Sequence, residues 1–144
     1  TAIATIADDA EAGTRVRLSG TYNGHGLGGP VEVFRAAENP LVRMWAQSEE
    51  GCPDESAVRE LVFTGGGEFS VTWTPFEVYK DFWGTYTYDP ATGAIAFEVE
   101  GGNQTPADMV LEGTATVTDG VLTFGGVSFG TPSQAAGACA APFR

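Results

Sequence analysis

The chain has 144 residues, the size of one ordinary domain, and carries 19 acidic against 7 basic side chains for a formal net charge of -12. That field repels nucleic acid phosphates and anionic lipid headgroups, which argues against both as partners. Twenty glycines, with charged residues at only 18%, suit strands and turns better than helices, and no apolar run approaches the ~20 residues that a membrane-spanning helix needs.

Residues 1–14 end in Asp8-Asp9-Ala10-Glu11-Ala12-Gly13, polar and without a strand or helix period, and read as a flexible N-terminal arm. Residues 15–144 then form a single domain. Arg15–Tyr22 alternates, with Val16, Leu18, Gly20 and Tyr22 on one face, the pattern of a half-buried strand. The stretch Gly24-His25-Gly26-Leu27-Gly28-Gly29 reads as a glycine loop between that strand and strands over 31–35 and 41–46. It also has the G-x-G-x-x-G spacing of a dinucleotide site, but Pro30 and a strand-like Val31-Glu32-Val33-Phe34 follow where a helix N-terminus must hold pyrophosphate.

Pro53-Asp54-Glu55 can open a short helix, with Val58, Leu61 and Val62 at helical spacing, although 59–64 fits a strand equally well. Over 68–74, Phe69, Val71 and Trp73 alternate with Ser70 and Thr72. Thr74-Pro75-Phe76-Glu77 then offers a capping Thr, a proline at the first helical position and a Glu three residues after the cap, predicting a second short helix that Gly84 ends near Phe82. Period-2 patterns return over 83–88, in Ile95, Phe97 and Val99, in Leu111, Gly113, Ala115 and Val117, and in Leu122 and Phe124. Asp89-Pro90-Ala91-Thr92-Gly93 and Asp119-Gly120 supply the hairpin turns between them.

These elements predict an all-β fold: an up-and-down β-barrel of about 8 to 9 antiparallel strands with one or two short helices, or alternatively a β-sandwich. Cys52 and Cys139 are the only cysteines. An even count in a strand-rich, acidic domain predicts a disulfide and an extracytoplasmic location, whether periplasmic, secreted or lipid-anchored through a removed N-terminus. The start at Thr1 without Met fits a processed or trimmed chain.

Catalytic signatures are weak. Gly126-Val127-Ser128-Phe129-Gly130 has nucleophile-elbow spacing, but the single histidine, His25, lies upstream, and an elbow serine needs a downstream His. One His and two distant Cys make no metal set, and no metal or cofactor is expected. Glu98 and Glu100 share one strand face with Ala94 and Ala96, which reads as a solvated face; with Glu77 and Asp81 they are the acids an enzyme would draw on.

The densest feature is aromatic: Phe69, Trp73, Phe76, Tyr79, Phe82, Trp83, Tyr86 and Tyr88 place eight of the sixteen aromatics within 20 residues. Most such residues build core. On 83–88, however, Trp83 shares a face with Thr85 and Thr87 while Tyr86 and Tyr88 share the other, so the candidate ligand-binding set is Trp73, Tyr79, Trp83, Tyr86 and Tyr88.

The run Trp83-Gly84-Thr85-Tyr86-Thr87-Tyr88-Asp89, followed by Gly93 and an alternating strand, resembles a first hairpin of the calycin barrels, the group of lipocalins and avidins. The hairpin around Asp119-Gly120 is similar in style. The lipocalin G-x-W signature is absent, and no binding residue carries over. Small bacterial inhibitors of secreted metalloproteases are similar in plan: a calycin-like barrel, a flexible arm and one disulfide. The expected function is therefore a non-enzymatic exported barrel binding a small or apolar ligand. The alternatives are a protein-interaction or inhibitor module and, behind it, a small carboxylate-dependent enzyme.

Overall fold

Seven of the alternating segments pair in chain order into one antiparallel sheet in the computed structural model, which describes residues 15–22, 25–32, 39–74 and 80–144. The arm at 1–14, Tyr79, Glu77 and the body of the helix predicted after Thr74 lie outside those residues. No helix occurs among the described residues.

The chain divides into two units, Thr1–Pro40 and Leu41–Arg144. In the first, β1 (Arg15–Tyr22) and β2 (His25–Glu32) form an antiparallel hairpin whose register runs from Arg15 opposite Glu32 to Tyr22 opposite His25. The glycine loop expected from residue 24 onward is thus a strand from His25. Tyr22 and His25 pair with only Asn23-Gly24 between them, the dipeptide most favoured in two-residue hairpin connections.

The second unit is a meander of β3 (Met44–Trp45), β4 (Glu60–Phe63), β5 (Glu68–Thr72), β6 (Phe82–Tyr88), β7 (Ala94–Gly102), β8 (Glu112–Thr118) and β9 (Val121–Gly125). β4 resolves the ambiguity over 59–64 in favour of a strand. Leu61 and Phe63 are fully buried while Glu60 and Val62 alternate with them, and Pro53 sits in a turn whose carbonyl accepts the Ser56 N–H at 3.1 Å. The strand expected over 41–46 contracts to Met44 and Trp45. At Asp119-Gly120 the backbone takes φ values of 52° and 74°, which the two-residue turn joining β8 to β9 requires. A bulge between Trp83 and Gly84 shifts the β6–β7 register. It brings Gly84 so close to the Glu98 carbonyl that a Cβ would overlap it.

The last two residues nearly close this sheet into a barrel. Phe143 and Leu122 of β9 exchange two main-chain hydrogen bonds, at 2.8 and 2.9 Å, and Arg144 and Ala46 exchange two more at 2.9 Å. The C-terminus thereby joins β9 to the segment after β3. Both partners would otherwise be free sheet edges, which are open to pairing with other chains.

Inward residues fill the barrel. Phe97 and Phe129 lie 5.4 Å apart, centroid to centroid, and their contacts reach Phe63, Phe69, Phe82, Phe124 and Phe143, mostly edge to face. Each such ring contributes roughly 1.5–3 kcal/mol through burial, and an edge-to-face pair adds about 0.5–1.5 kcal/mol. The middle of the barrel is packed by the chain's own rings.

Candidate functional site

After β9 the chain loses strand periodicity and long-range bonds take over. Val110 and Ser128 exchange main-chain hydrogen bonds at 2.9 Å in an isolated bridge. Thr131 then donates its N–H and Oγ1–H to the Asp108 carboxylate at 2.9 and 2.6 Å. The hydroxyl bond, followed by the main-chain bond, holds the Asp108 carboxyl below the ordinary carboxylate range. Residues 139–144 form a strap across one end of the barrel, tied by the Cys52–Cys139 disulfide, whose Cα atoms are 4.9 Å apart and 87 residues apart in sequence.

Gln47, only 5% exposed, clamps the strap. Its Nε2 donates to the Cys139 and Ala141 carbonyls at 3.3 and 2.7 Å, and its Oε1 accepts the Val58 N–H at 2.9 Å. Both amide protons are therefore spent on the strap. The Ser56 hydroxyl, also buried, donates to the Pro53 carbonyl at 2.6 Å.

Beneath the strap lies a cavity of about 180 Å³, walled by Trp73, Phe124, Val127, Ser128 and Phe129 together with Gln47 and the strap itself. No acidic, basic or histidine side chain belongs to this wall. The three tryptophans differ in how their indole N–H is met. Trp45, fully buried, donates to the Leu41 carbonyl at 2.8 Å. Trp83 is 39% exposed at the surface. Trp73 is 6% exposed and lines the cavity, and its Nε1–H has no hydrogen-bond partner. Leaving a buried donor unmet costs about 1–3 kcal/mol.

Asp81 sets the position of Trp73. This buried carboxylate accepts the Trp73 main-chain N–H at 2.7 Å and the Gln104 side-chain amide at 3.4 Å. Its own carbonyl takes the Asn103 and Gln104 N–H groups at 2.7 and 2.9 Å. Asp81 is thus a strut between the end of β5 and the loop after β7.

The candidate aromatics are distributed rather than gathered. Trp73 is in the cavity wall. Tyr86 lies in the packed interior, 4.8 Å from the Phe63 ring, and donates its hydroxyl to the Thr64 carbonyl at 2.8 Å. Trp83 faces outward and lies over Gly101. Tyr88 is half-buried beside a shallow surface groove with Ile95 and Gly113; burial, then the charge of Asp89, pushes its phenol pKa up. Tyr79 lies outside the described residues. Sequence reasoning passed over Gln47 and Ser56, since neither sits in a motif, and it weighed Ser128 only as a nucleophile. Ser128 is half-buried, and its Oγ accepts the Gly130 N–H at 3.2 Å.

Glu98 and Glu100 are exposed on the outward face of β7. Among the described residues no three of His, Cys, Asp and Glu converge as a metal site, and no helix is long and apolar enough to cross a membrane. Comparison with protein-family models, with curated proteins and with solved structures gives no match.

Proposed function

We propose that this chain is an exported, non-catalytic barrel of calycin-like plan that holds one small molecule beneath its C-terminal strap. The observation that carries the reading is the cavity of about 180 Å³ itself, walled by Trp73, Phe124, Val127 and Phe129 at the strap end while the rest of the barrel is filled by its own rings. The volume limits its occupant: a dry cavity of about 150 Å³ takes one benzene, so about 180 Å³ suits a single ring and not a lipid or an oligosaccharide. Export is supported by the disulfide, which persists in oxidising compartments. A wall without titratable side chains argues against acid–base chemistry there.

Ligand-observed NMR with a library of single-ring compounds tests the reading. Binding is expected to the wild type and to be lost in Val127→Phe, which fills the cavity. A library in which nothing binds, or binding that Val127→Phe leaves intact, would sink it.

A second reading, a protein-interaction module, is favoured by one cross-strand row on the outer face. Met44, Val62, Ser70, Trp83 and Gly101 are successive partners from β3 to β7, and Met44 and Trp83 are its exposed apolar members. On that reading Trp83→Glu abolishes association with a partner while leaving small-molecule binding untouched. Association that survives the substitution removes this reading.

A further inference from the structure

We infer that the outward side of Trp83 is a docking platform for an arginine side chain carried by a basic segment of a protein partner. The inference rests on the interaction reading of the outer face above, is independent of the cavity, and adds to that reading the chemistry of the partner.

The backbone around Trp83 is shaped to hold an exposed indole. The bulge between β6 and β7 falls at Trp83 and Gly84 and sets Trp83 opposite Gly101. The indole leans over that glycine: a Cβ at Gly101 would come within 2.9 Å of its Cζ2, 3.1 Å of its Cε2 and 3.3 Å of its Nε1. The ring therefore rests against the β7 main chain, while 39% of the residue stays exposed. Bulges recur where a sheet re-aims a side chain for function.

The surroundings are acidic. Thr85 follows two residues along the same face of β6, and its direct cross-strand partners are Glu68 on β5 and Glu98 on β7. Glu100 sits at the bulge, between Val99, which pairs with Gly84, and Gly101. All three glutamates are exposed. Diagonal neighbours on a sheet face lie about 7–8 Å apart, within reach of long side chains, so the carboxylates flank the ring from both neighbouring strands. Among the described residues the one ion pair joins Arg59 to Glu49, and none of these three glutamates has a basic partner.

An indole face beside unpaired carboxylates attracts a cation. Arginine suits it better than lysine, because a planar guanidinium stacks on the ring and still turns its N–H fork to a carboxylate. An acidic partner meets repulsion from the same three groups, and a neutral oligosaccharide gains nothing from their charge. The net charge of -12 also draws any basic segment toward the chain at long range, so the variants below separate the platform from that general attraction.

The probes are end-blocked hexapeptides in which glycine alternates with arginine, with lysine or with uncharged citrulline, and the neutral sugar cellohexaose. Each is titrated into the intact, oxidised protein while NMR follows the indole N–H signal that disappears in Trp83→Phe. The arginine peptide is expected to move that signal, to bind more tightly than the lysine peptide and to bind about tenfold more tightly than the citrulline peptide. Trp83→Ala is expected to weaken it about three- to fivefold, and Glu98→Gln with Glu100→Gln by about the same factor. Glu50→Gln with Asp54→Asn, an equal loss of charge in the loop before β4, should change it less than about twofold. Arginine binding that survives Trp83→Ala, or that the two double variants weaken alike, would reduce the effect to the general charge of the chain and overturn the platform. Citrulline peptide or cellohexaose moving the Trp83 signal as strongly as the arginine peptide would overturn the cationic chemistry and leave Trp83 a docking surface. A Trp83 signal that no probe moves would overturn the platform and the interaction reading together.

Discussion

Between Phe63 and Phe129 the barrel is carbon against carbon, with the one phenol, Tyr86, handed to a main-chain carbonyl at 2.8 Å. At the strap end, by contrast, a buried amide, two serines and an indole surround a cavity of about 180 Å³. The contrast teaches that aromatic density and ligand capacity are separate properties in this protein. The aromatic-rich strands β5 to β7 close the middle of the barrel, and a segment with few large side chains leaves space at its end.

Phe97→Ala gives the largest expected effect. Its ring touches Phe63, Phe69, Phe124 and Phe129, so truncation should cost about 3–5 kcal/mol in denaturant unfolding. A loss below about 1 kcal/mol would mean that the middle of the barrel is loosely filled, and the contrast with the strap end would fail.

Removing the cystine through Cys52→Ser with Cys139→Ser strikes the other region. The expected cost is about 2–4 kcal/mol, since the bond closes an 87-residue separation. Hydrogen exchange sharpens the comparison: main-chain amides at Ala141 and Phe143 should lose protection while those of β6 and β7 keep theirs. Uniform loss would make the strap an integral part of the core rather than a separate roof.

How much of this was legible follows from which interactions are local. β5 to β9 could be read because Phe69, Val71, Ile95, Phe97, Ala115 and Leu122 recur at every second position and are buried, although in β5 the intervening Ser70 and Thr72 are buried as well. The Asp119-Gly120 turn and the Cys52–Cys139 pairing were readable from residue type and number alone. β2 was obscured because Gly26, Gly28 and Gly29 weaken a strand pattern and mimic a phosphate loop, while the Asn23-Gly24 hairpin signal stood just upstream. The strap carries no period at all. Its position comes from Gln47, Ala46 and Leu122, which lie far from it in sequence, and no local pattern encodes such partners. Trp73 was legible as an inward residue, but the missing acceptor for its N–H was not, because that depends on every group around it.

A smaller effect separates the two buried tryptophans. Trp45→Phe removes a hydrogen bond to Leu41 and should cost about 1 kcal/mol beyond the change in ring size. Trp73→Phe removes a donor that makes no bond and should cost only what the smaller ring loses in packing. Equal losses, measured by chemical denaturation of both variants, would imply a partner for Trp73 and contradict the account.

The smallest effect is electrostatic. The Asp108 carboxyl, held below its usual range by Thr131, favours the folded state at pH values above the ordinary pKa of about 3.9. That contribution is lost as pH falls through the lowered pKa. The Thr131 amide signal should therefore titrate below pH ~3.9, and in Thr131→Val the Asp108 midpoint should return toward the ordinary value.

The most direct test is a crystal structure of the oxidised protein soaked with cyclohexanone. The account predicts density for one molecule beneath residues 139–143, against Trp73, Phe124 and Phe129, and none among the rings around Phe97. An empty strap end, or a probe lodged between Phe97 and Phe129, would contradict it.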